Sequence, residues 1–172
     1  YAHAPDPRPN HVFNRARRHW VHENITDQSP PYSGFWPLTL DRDDPIVVGP
    51  LGFWKAADVP RIYIRAAHRT QDNNAEIFFA GEDGFFSGDK RLGLTVIPDG
   101  NIHTYEVDLS SHPLYSGAIT QLRFDPIAGR NPGDTVDLYS ICSERECAVP
   151  PPNDIVWNSD PLSPDRTGRS LR

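Results

Sequence analysis

The chain has no methionine and only two cysteines in 172 residues. Two cysteines exclude a disulfide-dense scaffold and a four-cysteine zinc site. No apolar run approaches the roughly 18–20 residues of a membrane-spanning helix, so no membrane insertion is expected. No window sustains a helical period beyond one or two turns, which excludes a helix bundle. A G-x-S-x-G elbow is missing as well. Positive charge is the scarcer sign, with 17 Lys and Arg against 23 Asp and Glu and a net charge of −6. Counterion release needs a broad positive face, so nucleic acid is not an expected partner, the basic run at 15–19 notwithstanding.

Proline is abundant, 18 residues in all. Pro5, Pro7, Pro9, Pro30, Pro31 and Pro37 forbid long helices over residues 1–44 and favour extended backbone. The stretch VFNRARRHWVHENIT between them reads equally as a short strand or a helical turn. A second proline-rich segment spans 148–172, with an Ile155-Val156-Trp157 island. Between the two the pattern changes to period two. Pro45–Val48 and Leu51–Trp54 are apolar runs around the Gly49-Pro50 turn. Ile62, Ile64 and Ala66 share a face, as do Ile77 and Phe79. So do Leu92, Leu94 and Val96; Tyr105, Val107 and Leu109; and Leu122 and Phe124, with Val136–Cys142 closing the set. Short alternating runs separated by turn signals predict an all-β, antiparallel β-sandwich over 45–147. The segments 1–44 and 148–172 are expected to be extended tails.

Four features within 82–126 carry a family likeness. They are the Pro98-Asp99-Gly100 turn, the His103–Leu109 strand, the Pro113-x-x-x-Gly117 corner and Ile119-x-x-Leu122-Arg123-x-Asp125-Pro126. Together they resemble the galactose-binding-like jelly-roll of carbohydrate-binding modules in secreted polysaccharide-active proteins. The resemblance implies a scaffold that binds or assembles and rarely performs chemistry. It requires no cofactor, but such modules often hold a structural calcium near the first and last strands. Asp41, Asp43, Asp44 and Asp137 are the carboxylates available for it here, and hard oxygen ligands suit Ca²⁺.

Several sites compete. For glycan binding, an aromatic face stacks on a pyranose while charged groups fork its hydroxyls. Trp54, Phe85, Phe86, Tyr115 and Arg91 are the candidates, with Trp36, Trp157, Asp83 and Arg123 as further possibilities. For catalysis, Asp108, Ser110, Ser111 and His112 stand together, and Glu76, Glu82, Asp83, Glu106 and Asp108 offer carboxylate pairs. Neighbours in sequence rarely make a triad, and turn carboxylates mostly solvate, so no enzyme is expected. His3, His11, His19 and His22 lack a zinc-like spacing.

For self-assembly, the tails matter. Residues 1–22 hold Arg8, Arg15, Arg17 and Arg18 against Asp6 alone, so the acidic surplus lies in the body. Opposite charges favour association, within one chain or between copies. Phe13, Arg15, Arg17, Arg18, Trp20, Ile155 and Trp157 are the candidate contacts with a neighbour.

Compartment follows from three small signs. Cys142 and Cys147 are expected to close a short disulfide loop, with two free thiols as the alternative. Asn24-Ile25-Thr26 is an N-glycosylation sequon. The start at Tyr1-Ala2-His3 fits a processed secreted chain. The sequence thus predicts an extracellular, non-catalytic glycoprotein. Its first reading is a structural subunit that polymerises with itself into a filament or surface layer through its tails. The second is a polysaccharide-binding module associated with a degrading enzyme.

Overall fold

Alternation decides where the strands lie, because every second residue of an extended chain faces the same way. In the computed structural model, residues 8–30, 32–129 and 131–148 are described. In chain order the strands are β1 (His11–Val12), β2 (Val21–Glu23), β3 (Thr26–Asp27), β4 (Trp36–Leu40), β5 (Ile46–Val48), β6 (Trp54–Lys55) and β7 (Arg61–Arg69). There follow β8 (Asn74–Ala80), β9 (Arg91–Thr95), β10 (Ile102–Asp108), β11 (Ala118–Ile119), β12 (Gln121–Asp125) and β13 (Asp134–Cys142), and then a single helical turn, α1 (Arg145–Ala148).

Two antiparallel sheets face each other. The first runs β10-β7-β13-β4-β3, with β1 added to the far end of β13. The second runs β2-β5-β12-β8-β9, and β6 with β11 forms a small side ribbon. The chain passes between sheets repeatedly, among other places at β1–β2, β2–β3, β4–β5, β7–β8, β9–β10 and β12–β13, so the sheets cannot be separated into consecutive halves. This is the predicted antiparallel β-sandwich. Ile62, Ile64 and Ala66 of β7 and Val136 and Leu138 of β13 meet Ile77 and Phe79 of β8 and Leu122 and Phe124 of β12 across the core. Each fully buried side chain of that size contributes roughly 1.5–3 kcal/mol of transfer free energy.

The expected boundary at residue 45 is wrong for the described part of the first segment. Phe13 and Trp36 are 0% exposed and Trp20 is 2% exposed. Their rings pack on one another, Phe13 lying 5.7 Å from Trp20 and 5.5 Å from Trp36. β4 is an interior strand of the first sheet, between β13 and β3. Its Pro37 is tolerated because the Pro37 carbonyl accepts from the Gln28 N–H at 3.2 Å. The missing donor therefore points toward the short partner β3 rather than toward β13. Residues 8–44 belong to the sandwich, and large aromatic rings are the physical reason.

Cys142 and Cys147 are joined in a disulfide, so the two-thiol alternative falls. The bridge ties α1 to the end of β13, where the Ser140 hydroxyl donates to the Ala148 carbonyl at 3.2 Å. Among the described residues no helix is long and apolar enough to cross a membrane.

Candidate functional site

The outer face of the second sheet is built by register. Inward Leu122 and Phe124 leave Gln121, Arg123 and Asp125 of β12 on the other face, where Asp125 is itself covered, 3% exposed. Strand pairing sets Arg123 opposite Val48 and Phe78, and Phe78 opposite Arg91. One step along, Asp125 stands opposite Glu76, and Glu76 opposite Gly93. Two adjacent rows across β12, β8 and β9 thus carry two arginines, two carboxylates and a glycine.

Arg123 is held from three sides. Its Nε donates to Asp125 Oδ1 at 2.8 Å and its Nη2 to Oδ2 at 2.9 Å, a bidentate fork. Its guanidinium lies over the Phe78 ring, 4.2 Å from the centroid. Asp44 approaches from the loop before β5 at 3.8 Å. The bonds to Asp125 push the Arg123 guanidinium up, so it stays charged. Burial pushes the Asp125 carboxyl up, against the two bonds from Arg123. Beside this pair, Arg91 Nη1 reaches Glu76 Oε2 at 3.3 Å. Gly93 has no Cβ, and one built there would meet nothing nearer than the Ala75 carbonyl at 4.0 Å. A cleft of ≈ 350 Å³ opens there, lined by Glu76, Gly93 and Thr95 among others. The result is a preset pattern of donors and acceptors suited to hydroxyl groups.

Most residues singled out from sequence go elsewhere. Trp54 is 5% exposed and Tyr115 6%, so neither offers a ring to a ligand. The Trp54 indole N–H donates to Tyr115 Oη at 3.1 Å, and that hydroxyl donates to the Val59 carbonyl at 2.7 Å. Burial pushes the Tyr115 phenol up to about 12. Both side chains are core. Phe85 is 73% exposed and Phe86 half-buried, in the turn leading into β9. Arg91 alone of the five lies on the sheet face.

The proposed calcium carboxylates are not brought together. Asp137 is bonded to Arg69 at 2.9 Å, Asp41 accepts from the Thr26 hydroxyl at 2.6 Å, and Asp44 faces Arg123. Asp43 sits beside Asp44 in the loop before β5. Among the described residues no three His, Cys, Asp or Glu side chains gather to hold a metal. The serine–histidine set dissolves into a turn, where the Ser110 hydroxyl bonds Asp108 and the His112 Nδ1 accepts from the Leu114 N–H. The carboxylates considered for glycoside cleavage scatter, Glu106 facing Arg61 on the first sheet and Asp83 facing Lys90 in a turn. Asn24 occupies a left-handed turn with φ 59°. Its amide Nδ2, the atom a glycan would modify, donates to the Asp44 carbonyl at 3.0 Å. Phe13 and Trp20 are buried in their own chain and cannot anchor a neighbour in this state, while Arg15, Arg17 and Arg18 stay exposed in the loop joining β1 and β2. Ile155 and Trp157 lie outside the described residues.

Asp125, Glu76 and Gly93 were not named as glycan contacts from sequence, and Arg123 was only a neighbour. The signal existed in the L-R-x-D alternation, which turns Arg123 and Asp125 to one face. That β8 would pair there, and set Glu76 beside them, is not written locally.

No family model matches the chain, and no curated protein matches it in sequence. Among solved structures, the fold is similar to a family 29 carbohydrate-binding module, with a TM-score of 0.52 and 13% identity over 76% of this chain and 84% of that one. Variants of a family 29 module made to probe ligand recognition, with an arginine or an aspartate two residues apart changed to alanine, superimpose with TM-scores of 0.52 at 11% and 13% identity. The crystal structure of the Endo-D glycoside hydrolase domain from Streptococcus pneumoniae is also similar, with a TM-score of 0.51 and 17% identity over 73% of this chain but only 22% of that one. At such identities the likeness establishes a fold, a β-sandwich of the carbohydrate-binding-module type.

Proposed function

We propose that this chain is a non-catalytic polysaccharide-binding domain whose contact surface is the outer face of β12, β8 and β9. The observation that carries the reading is the row of Arg123, Glu76 and Arg91 on one sheet face, with Arg123 fixed from beneath by the buried Asp125. Ligand contact by such groups works because they are fixed before the ligand arrives, so little ordering is lost on binding. The fold supports the reading, since similar structures include carbohydrate-binding modules. The arginine and aspartate altered in the family 29 module have the spacing of Arg123 and Asp125 here. The disulfide suits an oxidising compartment, and we place the protein outside the cell. Polymerisation through the first segment loses its support, because the apolar residues meant as anchors fill the chain's own core.

The test is affinity electrophoresis and calorimetry against soluble β-glucans, mannans and xylans. Glu76→Gln keeps the shape of the side chain and removes one charged acceptor. It is expected to weaken binding about tenfold, the worth of a charge-assisted hydrogen bond, with an unchanged melting temperature. Glu106→Gln, on the opposite sheet, should leave binding as it was. Equal binding by both variants, or retention of no polysaccharide by the intact domain, would end the reading.

A further inference from the structure

The loop joining β1 to β2 holds a second recess, two strands from Arg123 along the row that runs through Val48 to Val21. It is a cavity of ≈ 720 Å³ lined by His11, Arg17, Arg18, His19, Trp20 and Pro50. Its walls are basic and unusually constrained. Arg18 and His19 are both left-handed, at φ 54° and 67°, where a residue with a Cβ costs roughly 1–2 kcal/mol. Two such residues in succession persist because the turn is closed by the Trp20 N–H donating to the Arg17 carbonyl at 3.0 Å, with the Trp20 ring locked in the core. Backbone strain of this kind collects at binding sites.

Arg18 is oriented by neutral partners, and Arg17 is only partly compensated. Arg18 Nε donates to the Val12 carbonyl at 2.8 Å and its Nη2 to Asn14 Oδ1 at 2.9 Å, both neutral acceptors. Arg17 meets one carboxylate, Asp27, at 3.5 Å and remains half-exposed. Behind the recess the Trp20 indole N–H is buried and has no acceptor among the described residues, a donor that costs free energy until one is supplied. His11 stands against that ring at 5.6 Å. Burial, with the charges of Arg18 and His19, pushes its imidazole down to about 4.

We propose that this recess is an oxyanion-binding subsite that takes a carboxylate or a sulfate ester, with Arg17, Arg18 and His19 meeting the charge and the Trp20 indole and His11 supplying directed hydrogen bonds. Placing that oxyanion on a sugar, as a uronic acid or a sulfated residue, rests on the glycan-binding reading; the oxyanion site itself does not. An acidic protein with one basic recess would then select charged stretches of a polysaccharide by attraction at the recess and repulsion elsewhere.

The probes are sodium glucuronate, sodium sulfate and glucose, added to the ¹⁵N-labelled full chain while the Trp20 indole resonance is followed. Glucuronate or sulfate should shift it saturably at millimolar concentration, and glucose should not. Saturation by glucuronate alone assigns a uronic acid, and by sulfate alone a sulfate ester. Arg17→Gln combined with His19→Asn should weaken the effect at least tenfold, asparagine being chosen because it tolerates the left-handed turn. Glu76→Gln should leave it intact, which separates this site from the sheet face. Should the double variant fail to fold, rising sodium chloride must weaken binding to the intact chain as charge screening requires. No saturable shift with either anion, an equal shift with glucose, or indifference to salt would overturn the proposal.

Discussion

His11 ties a residue-level property to the stability of the fold. Its imidazole is pushed down to about 4 by burial and by the charges of Arg18 and His19, while an unfolded chain keeps it near 6.5. Between those values the unfolded chain binds a proton that the folded chain refuses. Stability is therefore complete above pH 6.5, falls as pH drops toward 4 and is flat in this component below that. Urea melts at pH 7.5 and 4.5 should show the loss, and His11→Gln should remove up to about 3 kcal/mol of it. His68, lowered in the same direction by its burial, will keep part of the slope in that variant. Parallel curves for the two proteins would mean that His11 is not the source. Residue roles are also where sequence reading was weakest. Trp54 and Tyr115 sit beside turn signals, as glycan platforms do and as core caps do. What separates the two cases is their mutual hydrogen bond across 61 residues, which no local pattern contains. Arg91 was a candidate only through its nearness to Phe85 and Phe86; its place on the sheet face comes from the pairing of β9 with β8.

At the level of elements, the long alternating strands were legible and the short aromatic ones were not. Arg61–Arg69, Asn74–Ala80, Ile102–Asp108 and Asp134–Cys142 all lie where apolar residues recur at every second position. β1 to β4 escaped because prolines mark the segment as extended without saying what it extends against. Trp36-Pro37-Leu38-Thr39-Leu40 does alternate, with Trp36, Leu38 and Leu40 buried, but the proline at its second position disguised an interior strand. The consequence is testable. β1 pairs with β13 through His11 and Val12, and Phe13 continues that path with its N–H donating to the Tyr139 carbonyl at 2.9 Å. Phe13→Ala should cost about 3–5 kcal/mol, as loss of a buried aromatic does. Deleting residues 1–22 removes Trp20 as well and should leave a chain without a cooperative thermal transition. A truncated chain that melts as sharply as the intact one would return this segment to the status of a tail.

For the whole molecule, the question is whether the sandwich stands alone. Its longer open flanks are β10 of the first sheet and β9 of the second, consecutive in the chain and lying beside each other; the remaining flanks are the short β3 and β2. An exposed flat edge invites pairing with another copy, and natural sheets blunt it with charge. β10 carries Glu106 and Asp108 on its solvent face, and β9 carries Arg91, already engaged by Glu76. Of the basic residues in the first segment, Arg8 pairs with Glu144 of the body at 3.5 Å and Arg17 with Asp27 of its own segment, both within one chain. The net charge of −6 then opposes close approach of copies at low ionic strength. Light scattering of the full chain should accordingly return the mass of a single molecule across a hundredfold range of protein concentration. It should do so at both low and high salt, because screening removes a repulsion without creating an apolar contact. Concentration-dependent growth would show that some surface outside residues 8–148 associates, and the segment 149–172 would be the first to remove.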